Sequence, residues 1–134
     1  MSDIVAAART YLLAQSDVTD LVSSRIYFDV LPQGASLPAI LVELSDVDYI
    51  RHLTASTSLR RSTINLVCYA ATRTQAKAVQ AAVSAAIEFD TGTWGSVAVK
   101  RAYIDLEYDA TDAPGDGSQN YRRIGITRAS VWHT

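Results

Sequence analysis

Two pairs of long runs with period-two alternation constrain this chain more than any other feature. The first pair is Pro38 to Leu53 and Thr57 to Ala71, joined by the polar stretch Thr54-Ala55-Ser56. In one run Ile40, Val42 and Leu44 alternate with Leu41, Glu43 and Ser45; in the other Ile64, Leu66 and Cys68 alternate with Thr63, Asn65 and Val67. The second pair covers residues 96–109 and 120–132. There Ala102, Ile104, Leu106 and Tyr108 alternate with Arg101, Tyr103, Asp105 and Glu107, and Ile124 and Ile126 with Arg123, Gly125 and Thr127. Such alternation predicts strands with one face on a core and a second, more polar face rich in Arg, Glu, Asn and Thr. Strands grouped into hairpins make an antiparallel sheet with helices on one face, an α+β arrangement with two main helices.

The rest of the chain supplies those helices. Residues 3–15 carry Ile4, Val5, Ala8, Tyr11 and Leu12 at helical spacing, with Ser2 or Asp3 able to cap the start. A short helical turn follows at 17–22, on Val18, Leu21 and Val22. Arg25 to Val30 reads as a short strand ended by Leu31-Pro32-Gln33-Gly34. Thr72-Arg73-Thr74-Gln75 matches a capping box, and an alanine-rich helix runs from it to about Phe89. Its apolar stripe is Ala76, Val79, Val83, Ala86 and Ile87. Thr111 to Gln119 has the composition of a flexible polar loop. No internal repeat or linker divides the 134 residues, so one domain spanning 1–134 is expected.

Composition narrows the function classes. Twelve basic against 14 acidic residues leave a net charge of −2, without the basic stripe that free-standing nucleic-acid binding needs. The lone Cys68 excludes an internal disulfide, and Cys and His are too few for a structural zinc site. Apolar runs such as Val5 to Ala8 and Pro38 to Val42 fall far short of the roughly 20 residues that span a bilayer. The start Met1-Ser2-Asp3 lacks the basic region of a signal peptide, which predicts synthesis in the cytoplasm and no membrane partner.

No catalytic, cofactor or metal constellation is legible. His52 and His133 have no nucleophile motif beside them and read as solvated surface histidines. Cys68 sits on the predicted inward face, as a buried small hydrophobe. Asp109, Asp112 and Asp116 miss the ligand spacing of a calcium loop and have no closing glutamate. Asp105 and Glu107 read as two carboxylates on one solvated strand face. Gly92 and Gly95 flank Trp94 without the spacing of a phosphate-binding loop.

The remaining signal is the charge cluster where the first hairpin loses its alternation: Asp46, Asp48 and Arg51 on one strand, Arg60 and Arg61 on the other. Cross-strand pairs on a solvated tip account for it. So does a charged arm that projects past the core and docks on a neighbouring subunit, where such pairs set register.

Three stretches resemble a known family. Val22-Ser23-Ser24-Arg25-Ile26-Tyr27, Leu31-Pro32-Gln33-Gly34 and Leu37-Pro38 look like the N-terminal signature of the tail-terminator, or tail-completion, proteins of long-tailed bacteriophages. Asn65-Leu66-Val67-Cys68-Tyr69-Ala70, with the helix near Gln75-Ala76, is similar to their central passage, and Tyr121-Arg122-Arg123 through Val131-Trp132 to their closing strand. The resemblance implies a non-enzymatic virion component: a hexameric ring that caps the tail tube and joins it to the head connector. Its partners would be its own copies, the tube protein and a connector or adaptor protein, with DNA only as passing cargo and no cofactor. Candidate subunit or partner contacts are Asp46, Asp48, Tyr49, Arg51, His52, Leu53, Leu59, Arg60 and Arg61 at the hairpin tip, with Asp112 and Asp116 in the later loop. Alternatives are a head-completion adaptor and a small-ligand-binding α+β domain.

Overall fold

The computed structural model describes residues 3–28, 30–32, 34, 36–51, 56–112 and 122–134, the side chains of 50, 51, 56–58 and 112 aside. In chain order these form α1 (Ile4–Leu13), α2 (Ser16–Val22), β1 (Ile26–Phe28), β2 (Ala39–Arg51), β3 (Ser56–Ala70), α3 (Arg73–Ile87), β4 (Gly92–Trp94), β5 (Val97–Asp112) and β6 (Arg122–His133). Both expected hairpins are present: β2 pairs antiparallel with β3, and β5 with β6. An antiparallel β3–β6 ladder, from Arg60 opposite His133 to Ala70 opposite Arg123, joins them into one sheet of order β1-β2-β3-β6-β5-β4. The fold is α+β, with a mainly antiparallel sheet. Among the described residues its one parallel pair is β1 with β2, Ile26 opposite Ile40.

Local chemistry sets the helix starts. The Asp3 carboxylate accepts from the Val5 and Ala6 amides, both at 3.1 Å, and satisfies two donors that the first turn leaves orphaned. Thr72 Oγ1 accepts from Gln75 N at 3.2 Å, as the capping box predicts. The return bond is displaced by one residue, because Gln75 Oε1 accepts from Ala71 N at 3.2 Å.

The helices cover one face of the sheet. Ile4, Val5, Ala8 and Leu12 of α1, Val18 and Val22 of α2, and Val79, Val83 and Ile87 of α3 meet Ile26, Ile40, Val42, Ile64, Leu66, Cys68, Ala102, Ala129 and Val131 in one buried cluster. At roughly 1.5–3 kcal/mol for each large aliphatic side chain withdrawn from water, this cluster is the main stabilising term. Gln80 of α3 is buried as well, and its Nε2 donates to the Ile126 carbonyl at 3.1 Å.

The unexpected β4 pins the far end. Trp94 is fully buried, stacks on Tyr11 at 4.7 Å between centroids, and donates its indole N–H to Asp90 at 2.8 Å. Tyr11 in turn donates its hydroxyl to the Ala86 carbonyl. Burial, with Asp90 nearby, pushes that phenol up to about 12. A strand of three residues containing a glycine at φ +134°, and followed by Gly95 at φ +58°, carries no alternation to read.

Bulges rearrange the expected faces. A register shift between Ile104 and Leu106 turns Leu106 and Tyr108 onto the open face, away from Ala102 and Ile104. It also separates the two carboxylates expected on one face. Asp105 accepts from Ser130 on the open side, whereas Glu107 accepts from Ser84 of α3 on the helix side. Thr127 is buried facing the helices, so the polar residues do not share one side. The strand runs on to Asp112, taking Thr111 and Asp112 out of the expected loop.

Candidate assembly surface

Beyond Val42, β2 and β3 run past the helix layer. Leu44 and Tyr49 lie on the helix side, yet they are 49% and 53% exposed because little of α1 reaches them. A bulge between Leu44 and Asp46 restarts the alternation, so that Val47 and Tyr49 follow Leu44 on this side while Asp46 and Asp48 face the open side. Asp48 stands opposite Arg61 and forms an ion pair with it. Arg61 also lies 5.8 Å over the Trp132 ring, and Arg60 4.9 Å over the Tyr49 ring. Asp48, Arg60 and Arg61 of the charge cluster are therefore tied across the strands. Leu59 is half-buried beside it, and Arg51 ends β2. His52, Leu53 and Asp116 lie outside the described residues, as do most of the loop at 110–119 and residues 54 and 55 of the hairpin connection.

Ile4, Leu44, Val47, Tyr49 and Arg60 line a cleft of about 300 Å³ on the helix side of this arm, with Ser62 and His133 at its floor. His133 is a correction: it is 2% exposed, not solvated. Its Nε2 and Ser62 Oγ are 2.7 Å apart, and Nδ1 lies 3.4 Å from the Thr134 carbonyl. A carbonyl only accepts, so the Nδ1–H donates to it and the Ser62 hydroxyl donates to Nε2. Burial, with a smaller push from the Arg60 charge, holds the ring below its ordinary pKa and neutral. A serine beside an imidazole invites a catalytic reading. Here the hydroxyl is fully buried, which makes the pair a structural lock between β3 and β6. Ser62 shares its alternation with Ile64 and Leu66, so its inward direction was legible; its histidine, 71 residues away, was not.

At the opposite end of the strands, Lys77 and Arg73 of α3 pair with Asp109 of β5 at 2.6 and 3.7 Å. Cys68 is buried, and burial pushes its thiol up to about 12. Among the described residues no three His, Cys, Asp or Glu side chains are placed to hold a metal ion, and no helix is long and apolar enough to cross a membrane.

Among the described residues the helices lie on one side of the sheet, and an arm beyond its core carries exposed apolar side chains. Over residues 6–127 the sequence matches the family described as Tail completion protein gp17, and the chain belongs to that family. It is a structural component of a phage-type virion, in the tail or neck. The fold is shared with a chain in the virion of a native gene transfer agent (GTA) particle, at TM-score 0.64 and 21% identity, over 98% of this chain and 95% of that one. Among curated proteins none matches.

Proposed function

We propose that the chain, as one domain, assembles head-to-tail into a hexameric ring that ends the tail tube and joins it to the head connector, without a chemical step. Membership of the tail completion family carries this reading. A heterologous ring needs two different patches on each subunit. The projecting end of β2 and β3, with Asp46, Asp48, Tyr49, Arg51, Leu59, Arg60 and Arg61, supports one of them; Asp112 stands at the other end of the sheet. Tube protein and connector protein are the partners above and below, and DNA passes through the ring.

Light scattering of the purified protein across a wide concentration range tests the assembly, and the expected mass is six chains. Loss of the protein should leave unjoined or overlong tails; normal tails beside leaking heads would refute the terminator role in favour of a head-completion adaptor. Reversal of Arg60 and Arg61 to Glu should abolish joining. Intact assembly in that variant would remove the arm from the interface.

A further inference from the structure

The sheet has two long outer edges that are only partly paired among the described residues. β4 covers Val97–Val99 of β5, and β1 covers Ile40–Val42 of β2. The β5 edge is guarded. Ala102 N donates to Asp90 O at 3.1 Å, Phe89 N donates to Ala102 O at 2.8 Å, and Ile104 N donates to the Glu88 carboxylate at 3.1 Å. Asp105, Glu107 and Asp109 add charge further along, a common defence of exposed edges.

The β2 edge from Glu43 to Asp48 differs. It has no strand partner among the described residues. On its helix side lies the cleft with the apolar side chains of Ile4, Leu44, Val47 and Tyr49. On its open side stand the carboxylates of Glu43, Asp46 and Asp48, in register with Asn65, Thr63 and Arg61. A backbone without a strand partner among the described residues, an apolar pocket at alternate positions, and the open-side carboxylates of Glu43 and Asp46 between them are what strand addition uses for affinity and specificity.

We propose that Glu43–Asp48 is a strand-addition site for an extended segment of another virion protein, one whose apolar side chains enter the cleft and alternate with Lys or Arg facing the carboxylates. A second copy of this chain is the wrong occupant. The comparable edge it offers, on β5, is engaged by Glu88, Phe89 and Asp90 at Ala102 and Ile104 and presents the Asp105 carboxylate on its open side, and like charges brought across a strand pair are destabilising. The site rests on the chain being a virion component and not on the number of subunits in a ring.

Replacing Tyr49 with the photocrosslinker p-benzoylphenylalanine in assembled particles, and Leu44 in a second variant, tests it by mass spectrometry of the cross-linked peptides. The expected product joins either position to a segment of a different virion protein with alternating apolar and basic residues. Asp46→Lys, at an exposed position, should lower its yield about three- to fivefold, the effect of one exposed ion pair. Cross-links only to another copy of this chain, to a segment without that alternation, or none from either position overturn the proposal. Native mass, read separately, reports on the ring.

Discussion

Gly125 on β6 lies beneath Gln80 of α3, and the cost of filling that space is calculable. A Cβ there would stand 3.2 Å from Gln80 Cδ and 3.3 Å from both terminal atoms of the amide. The backbone of Gly125 is outside the positive-φ region, so alanine adds no backbone strain and the effect is steric. Gln80 is held by its bond to the Ile126 carbonyl at 3.1 Å and by Lys77 Nζ donating to its Oε1 at 3.3 Å. To accommodate a methyl the amide must retreat a few tenths of an ångström and stretch the first bond. Overpacking costs about 1–3 kcal/mol and a weakened buried hydrogen bond about 1 kcal/mol. Restricting the unfolded chain returns roughly 0.4–1 kcal/mol. Gly125→Ala should therefore lose about 1–3 kcal/mol, read as a lower urea midpoint at unchanged slope. In a Gln80→Ala background the methyl has room, so the two costs should fail to add by about 1 kcal/mol or more. An unchanged midpoint for Gly125→Ala, or the same cost in both backgrounds, would refute the packing argument.

Three further outcomes are expected. His133 titrates below its ordinary pKa in the folded protein, so the unfolded chain binds the extra proton first. Stability is therefore full above the unfolded pKa of about 6.5 and falls as pH drops toward the folded value, by at most about 1.4 kcal/mol per pH unit; His133→Gln should flatten that slope in denaturation curves at pH 5 to 8. Native Cys68, buried and with its thiol pushed up to about 12, should resist an aromatic disulfide reagent at pH 8 and react once in 6 M guanidinium; rapid labelling of the folded protein would contradict its burial. Thr72→Ala removes the cap on Gln75 N and should cost about 1 kcal/mol, against little change for Thr72→Ser.

How much could be read from residues alone follows from the range over which each force acts. Period-two alternation located the four long strands to within a few residues, and Thr72 with Gln75 marked the start of α3, because pleat and capping are settled by neighbours in the chain. The short connection after the first run implied a hairpin for the same reason. Inward placement of Cys68 followed from its alternation with Ile64 and Leu66. The tail completion family was legible too, in packing and turn residues spread along the chain.

Other features depended on partners far away in sequence. The β3–β6 ladder, the parallel docking of β1 and the burial of His133 against Ser62 each join segments that no local pattern connects. The bulges at Leu44/Asp46 and Ile104/Leu106 decided which residues face the helices and which the open side. One inserted residue leaves the strand alternating on either side of it, yet exchanges its faces, since the side-chain period is two. Sequence thus determined where strands and helices form; the pairing of those strands decided which side chains of the projecting arm line a cleft and which present charge.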